Sequence, residues 1–307
     1  MRVVFFGTPE FAVPSLRALV GEGFEVAGVV TRPDRPTGRH RSRATPSAVK
    51  RAALAEDLLV LQPERPSVPE FIQAVRAAAP DLAIVAAYGH ILPQALLDVP
   101  RLGSVNVHAS LLPALRGAAP IQRAILEGLA ETGITIMQMD AGMDTGPILH
   151  QVATPIAPDE TGGELTLRLA ELGAEALIEA LTMMDEAGLA PRPQDGSLAT
   201  LAPKIAREEE RLDWACPAQV VARKIRAFDP RPGAWTSCRS RDLKLFGAAV
   251  VAESGAPGQV LAAGDALHVA CGADAVAVTE VQPAGRARMA ARAFVNGRGV
   301  AVGDRLS

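Results

Sequence analysis

The chain has 307 residues, of which 49% are hydrophobic and 21% charged, and its formal net charge is −3. This length predicts one large domain or two medium ones with enough residues to bury a core, and we expect two. No apolar run reaches the roughly 18 residues of a membrane-spanning helix, which argues against a membrane protein. The N-terminus begins directly as a strand, without the apolar region or cleavage site of a signal peptide, so we expect a cytoplasmic location.

The three cysteines indicate neither a disulfide framework nor a metal site. Cys216, Cys238 and Cys271 are widely spaced, and no CxxC motif or histidine pair accompanies them. We therefore expect ordinary thiols and no bound metal.

Charge is distributed unevenly along the chain. Residues 1–202 carry 16 basic and 23 acidic side chains, whereas residues 203–307 carry 15 and 11. Arg39, Arg41 and Arg43 lie with further arginines in a proline-rich segment at 31–47, called the basic loop below. A local basic surface suits a phosphate backbone. A solvated loop explains the same run equally well in a chain with 27 arginines and 4 lysines.

The first part of the chain alternates between predicted strands and helices. Such alternation is typical of an open, mostly parallel α/β sheet. Gly7 has no glycines two and five positions later, so the fingerprint of a dinucleotide-binding fold is absent. Apolar periodicity predicts strands at 2–6, 24–31, 58–61, 81–87, 104–108, 133–139 and 147–152, and helices at 14–20, 48–56, 71–79, 121–129 and 165–186.

The last third of the chain predicts a second, smaller domain. Residues 188–204 contain several prolines and glycines and are interpreted as a linker. Five short strands separated by glycine turns follow a helix at 217–228, a pattern typical of a small β-barrel and a common platform for polyanions. The predicted domains are therefore 1–187 and 205–307, joined by the linker 188–204.

The most polar strand end is the candidate site. Asn106 and His108 are two residues apart in the strand 104–108, so both side chains point to one face. Asp144 lies in a glycine-bounded loop that a predicted hairpin brings to the sheet edge. A carboxylate that raises the pKa of His108 would keep the imidazole protonated, and the imidazole and the Asn106 amide could then stabilise an oxyanion. The alternative is structural: Asn106 and His108 bond a loop, and Asp144 caps a turn.

Motifs along nearly the whole chain resemble the methionyl-tRNA formyltransferase family. The segments that carry the resemblance are FGTPEF (6–11), RPDRP (32–36), AYG (87–89), NVHASLLP (106–113), RGAAPIQ (116–122), TIMQMD (135–140), DTG (144–146), IRAFDP (225–230) and QPAG (282–285). No single segment is specific, but their combination in this order is.

The resemblance implies a Rossmann-like formyltransferase domain followed by an OB-like β-barrel domain that binds tRNA. It implies formyl transfer from 10-formyltetrahydrofolate to the α-amino group of methionine on initiator tRNA. Asn106, His108 and Asp144 match the family's catalytic set. Arg39 matches its tRNA-contacting arginine, with Arg41 and Arg43 following where the family commonly has lysines. The match to the family's folate-binding segment covers Ser110, Leu111, Leu112 and Pro113.

Two alternatives stay open at this point. One is a folate-dependent formyltransferase that acts on a small amine, such as a ribonucleotide or an amino sugar. The basic loop and the second domain favour tRNA over it, because a small substrate requires neither. The other is a noncatalytic RNA-binding protein whose first domain has lost its activity, which the presence of all three catalytic residues disfavours. We expect a monomer.

Overall fold

The computed structural model describes residues 1–36, 44–186 and 190–307. Its contacts divide the chain into two compact units, and each is described by itself. The first unit comprises Met1–Gly117, Thr132–Thr154 and Thr166–Ala202; the second comprises Ala118–Glu131, Pro155–Leu165 and Pro203–Ser307. The domain boundaries at 187 and 205 stay a prediction.

The elements follow the predicted alternation closely. The strands are β1 (Arg2–Gly7), β2 (Glu25–Val30), β3 (Arg35–Pro36), β4 (Ala44–Thr45), β5 (Val60–Leu61), β6 (Leu82–Ala86), β7 (Ser104–His108), β8 (Glu131–Gln138), β9 (Ile148–Pro155), β10 (Trp235–Cys238), β11 (Arg241–Val251), β12 (Val260–Ala263), β13 (Leu267–Ala270), β14 (Ala275–Pro283) and β15 (Met289–Ala290). The helices are α1 (Val13–Gly21), α2 (Ala48–Ala55), α3 (Pro69–Ala77), α4 (Gln94–Leu97), α5 (Pro120–Glu127), α6 (Gly162–Glu186), α7 (Ala218–Ala227) and α8 (Ala291–Asn296).

The first unit is built on a sheet of order β5-β2-β1-β6-β7-β8-β9. The pairs from β5 to β7 are parallel, and β8 runs antiparallel to β7. Every residue of β6 is buried, as expected for a parallel strand covered on both faces. Because β1, β6 and β7 run the same way, their carboxyl ends share one edge, where open α/β sheets bind ligands.

Aromatic packing anchors the core of this unit beneath that edge. The Phe6 ring lies edge-on to the rings of Phe71 and Tyr88, at centroid distances of 6.5 and 5.5 Å. All three are at most 7% exposed and pack with Val4 and Val85. Burying one such side chain contributes about 1.5–3 kcal/mol. This layer therefore packs against the carboxyl ends of β1 and β6, the latter next to β7 in the sheet.

The second unit contains an antiparallel sheet of order β10-β11-β14-β13-β12, with β15 paired to β14. A two-residue turn, Arg239-Ser240, joins β10 to β11, and both residues have positive φ, as a tight hairpin that matches the strand twist requires. The buried face of α7 includes Val221 and Ile225. The fold class predicted above is confirmed: a Rossmann-like sheet followed by a smaller, curled, OB-like β-domain.

A buried ion pair stabilises the second unit. Asp229 is 6% exposed, and its Oδ1 and Oδ2 accept from Arg288 at 2.6 and 3.3 Å. The same guanidinium lies 4.1 Å from the Phe246 ring centroid and also pairs with Glu280. Arg288 therefore neutralises a carboxylate that has left water.

Candidate active site

Asn106 and His108 project from one face of β7, as predicted. Asn106 lies beside Val85 of β6 and Met137 of β8, and His108 beside Thr135 of β8. The imidazole is almost fully buried, at 4% exposure, whereas Asn106 is only partly buried. Asn106 is therefore the more accessible of the two.

The loop between β8 and β9, residues 139–147, is called the acid loop below. Its two aspartates have different environments. Oδ1 of Asp140 accepts hydrogen bonds from the Gly142 amide at 2.9 Å and the Thr145 hydroxyl at 2.7 Å, so Asp140 shapes the loop itself. Asp144 points its carboxylate away from these groups, toward β7, and has a φ of +54°. Aspartate tolerates this left-handed conformation better than most residues do.

The structure brings Asp144 to both predicted partners. Its Oδ2 accepts from the Gly117 amide at 2.9 Å and lies 3.6 Å from Nδ1 of His108. Its Oδ1 lies 3.4 Å from the Asn106 amide nitrogen. On the other side of the imidazole, Nε2 is 3.1 Å from the Leu115 carbonyl. Because a carbonyl only accepts, Nε2 carries a proton, and Nδ1 is the nitrogen that gains or loses one.

The pKa of His108 is shifted opposite to the expectation from sequence. Burial lowers it, and the Asp144 carboxylate and the Leu115 carbonyl raise it without offsetting the burial. The expectation that a neighbouring carboxylate keeps this imidazole protonated is therefore wrong. The sequence shows the carboxylate but not how completely the ring is removed from water. In the free protein, the pKa of His108 therefore lies below its ordinary value, chiefly because the ring is buried.

The segment matched to folate binding follows β7 directly. Ser110 is 1% exposed, and its hydroxyl donates to the Ala114 carbonyl at 2.7 Å. Leu112 is 3% exposed and packs against Met137 and Ile148. Leu111 and Pro113 are only partly buried. Ser110 and Leu112 therefore shape this turn, and Leu111 and Pro113 are the side chains that a ligand can reach.

The three arginines expected to contact nucleic acid, Arg39, Arg41 and Arg43, lie outside the described residues. The start of the basic loop is anchored by Lys50, which donates to Asp34 and to Gln62 at 2.7 Å each. Hydrogen bonds from Lys50 and then Gln62 lower the pKa of Asp34.

The structure also reveals two contacts of the acid loop that no sequence pattern indicated. One is the Gly117 amide, inside a motif recognised by resemblance but given no role. The other is Gln194, in the predicted linker, which donates to the carbonyls of Asp144 and Gly146. A lone glutamine in an irregular, proline-rich segment has no periodicity or spacing that would single it out.

Within residues 1–36, 44–186 and 190–307, no group of three or more His, Cys, Asp or Glu side chains is placed to hold a metal ion. None of the helices in the same ranges is long and apolar enough to cross a membrane.

The chain is similar to known formyltransferases over most of its length. Residues 1–181 match the formyl transferase family model, and residues 204–299 match the model of the formyl transferase C-terminal domain. The methionyl-tRNA formyltransferase of Aromatoleum aromaticum is 50% identical over 307 residues, covering 100% of this chain and 97% of the relative. That of Thiobacillus denitrificans is 51% identical over 310 residues, covering 100% and 99%.

A solved structure, HypX from Aquifex aeolicus in complex with tetrahydrofolic acid, has the same fold. Its TM-score is 0.70 at 22% identity, covering 97% of this chain and 47% of HypX. Both family models are matched in order, and half of the residues are identical to those of full-length curated relatives. The chain therefore belongs to the methionyl-tRNA formyltransferase family.

Proposed function

We propose that this protein transfers the formyl group of 10-formyltetrahydrofolate to the α-amino group of methionyl initiator tRNA, giving formylmethionyl-tRNA for translation initiation. Family membership supports the reaction class and the tRNA substrate. The observation that carries the proposal is the convergence of Asn106 and His108 on the Asp144 carboxylate, at 3.4 and 3.6 Å, at the carboxyl edge of a parallel sheet.

The formyl donor is folate-derived, and the residues beside the site fit such a group. The donor supplies the formyl carbon and a nitrogen that leaves. Leu111 and Pro113 present partly exposed apolar surface beside the strand end that carries the polar groups. An apolar wall next to a few fixed polar groups is the usual composition of a small-molecule site. We assign Ser110 and Leu112 to shaping this wall.

Asn106 is the donor best placed for the developing oxyanion. As the amine adds to the formyl carbon, negative charge gathers on the formyl oxygen. The side chain of Asn106 is partly exposed, and its only described polar partner is the long 3.4 Å contact with Asp144. A preorganised amide donor of this kind costs no reorganisation when the charge appears.

Asp144 and His108 together transfer a proton from the attacking amine to the leaving nitrogen. The attacking amine must lose a proton, and the folate nitrogen that leaves must gain one. Asp144 is the more accessible group, and Nδ1 of neutral His108 lies 3.6 Å behind it. A proton taken from the amine is shared by this pair, where the Asp144 carboxylate and the Leu115 carbonyl stabilise the imidazolium. Delivering that proton to the leaving nitrogen restores the free state without a covalent enzyme intermediate.

We assign tRNA binding to the basic loop, through Arg39, Arg41 and Arg43, and to the second unit. The excess of basic over acidic side chains in residues 203–307 supports this assignment. Since the proposed substrate is a tRNA, we also propose a cytoplasmic location. One copy of the chain holds all three catalytic residues, so we propose that a monomer is active.

The test is formyl transfer from 10-formyltetrahydrofolate, measured in parallel with methionyl initiator tRNA, free methionine and an amino sugar nucleotide. We expect transfer to the tRNA alone, with a KM for tRNA that rises steeply with salt because phosphate contacts release counterions. Transfer to a small amine without transfer to tRNA would overturn the substrate assignment. It would leave the reaction class intact.

A further inference from the structure

Residues 190–202, called the strap below, lie against both segments that hold the catalytic groups. At one end, the backbone of Arg192 exchanges two hydrogen bonds of 2.8 Å with Ile148, at the start of β9. At the other end, Leu201 pairs with Arg116 as an isolated parallel bridge. The strap therefore joins the end of the acid loop to the segment that follows β7.

Between these bridges, one side chain of the strap spans the gap. The Gln194 amide nitrogen donates to the carbonyls of Asp144 at 2.9 Å and Gly146 at 2.7 Å. Its carbonyl oxygen accepts from Nε and Nη2 of Arg116 at 3.1 and 2.7 Å. The partners of the amide nitrogen can only accept, and Arg116 can only donate, so the orientation of the amide is fixed. All four hydrogen bonds that the amide can make are satisfied.

The groups held in this way are adjacent to the proposed chemistry. Gly117, next to Arg116, donates its amide to the Asp144 carboxylate. The Leu115 amide donates to the Thr200 hydroxyl of the strap at 2.8 Å, and the Leu115 carbonyl faces Nε2 of His108. The strap thus hydrogen-bonds to the backbone on both sides of the Asp144–His108 pair.

We propose that Gln194 is a positioning residue of the transfer reaction: with Arg116 as its partner, it holds the backbone at Asp144 and Gly146 so that the Asp144 carboxylate faces His108. The expected effect on the rate rests on the proposed function, whereas the positioning of the Asp144 carboxylate by Gln194 does not. Asp144 adopts left-handed backbone in a loop whose residues 141–143 are exposed. Asp140 holds Gly142 and Thr145 within the loop, whereas the carbonyls of Asp144 and Gly146 are held by Gln194. The strap therefore adds a constraint on the backbone at Asp144 from outside the acid loop.

The experiment compares Gln194→Leu with the wild type by two measurements. The first is the pKa of His108, from the NMR titration of its imidazole in the free protein, with Asp144→Asn as the reference for complete loss of the carboxylate. Since Asp144 raises that pKa, Gln194→Leu should lower it, in the direction of the reference. The second is formyl transfer, where kcat should fall by roughly 10- to 100-fold, because a catalytic group displaced by about 1 Å costs up to about 100-fold. Both KM values should change less than about threefold.

Two further variants keep the experiment decisive. Gln194→Met keeps the length of the side chain without adding a charge and loses the four hydrogen bonds of the amide, so it should reproduce the shift if the leucine variant does not fold. Ser197→Ala is the matched control, since it removes only a hydrogen bond to Asp195 within the strap. It should leave the pKa of His108 and kcat at wild-type values.

A His108 pKa in a folded Gln194 variant equal to that of the wild type would overturn the proposal, whatever the activity. So would a kcat within about twofold of the wild type. Failure of the proposed function is a separate result: a wild-type protein without transfer to methionyl-tRNA would defeat the substrate assignment. The NMR comparison would still decide whether Gln194 positions Asp144.

Discussion

Replacing Gly117 by alanine tests how tightly the backbone holds the Asp144 carboxylate. Gly117 has a φ of +127°, and a Cβ built there would lie 2.6 Å from the Ala202 carbonyl oxygen. Backbone strain at such a position costs about 1–3 kcal/mol. The clash forces the peptide away from the strap, which also weakens the 2.9 Å hydrogen bond to Asp144, a charge-assisted bond worth about 1.5–3 kcal/mol.

We therefore expect Gly117→Ala to lower the free energy of unfolding by about 3 kcal/mol, a large share of a typical 5–15 kcal/mol. Among folded molecules, kcat for formyl transfer should fall by up to about 100-fold. The measurements are urea unfolding and transfer at saturating substrates. Gly196→Ala is the matched control, because nothing lies within 4 Å of its added Cβ, and it should stay within about 0.5 kcal/mol of the wild type. If Gly117→Ala unfolds at the same urea concentration as the control, the reasoning is refuted.

Two more predictions follow from charged groups of the two units. Because burial lowers the pKa of His108, kcat/KM should show no fall as pH rises through about 6–7. The stability that the neutral ring contributes should be lost as pH drops through that lowered pKa. A rate that falls as pH rises through 6–7 would contradict a neutral imidazole. In the second unit, Arg288→Met should destabilise by about 1–3 kcal/mol by leaving the buried Asp229 carboxylate without its cation. Arg292→Met breaks an exposed pair with Asp265 and should change stability by less than about 1 kcal/mol in the same urea titration. Equal losses of stability in the two variants would contradict the greater importance of the buried pair.

Local patterns predicted much of the fold because apolar periodicity reports burial directly. Residues 82–87 are apolar without interruption, and β6 is buried along its whole length. The predicted helix 165–186 corresponds to α6, Gly162–Glu186. Short elements were harder to predict from the sequence. The predicted strand 58–61 is reduced to Val60–Leu61, and α8 was not predicted, because six residues are too few for a helical period to emerge.

The candidate site was predictable where chemistry follows strand geometry. Asn106 and His108 share a face because side chains alternate along a strand, and the hairpin brings Asp144 to them. The protonation state of His108 was not predictable, since it depends on burial from several elements. Gln194 was missed because its partner Asp144 is 50 residues away along the chain, and such contacts depend on tertiary structure alone.

The most direct test of the account is single-turnover formyl transfer to methionyl initiator tRNA by the wild type, His108→Ala and His150→Ala. His150 lies on β9 and pairs with Glu179, so its loss controls for removing any histidine from this sheet. The account predicts a loss on the order of 100- to 1000-fold for His108→Ala, with the fold intact and with His150→Ala near the wild type. Near-normal transfer by a folded His108→Ala protein would contradict the assignment of the chemistry to Asn106, His108 and Asp144.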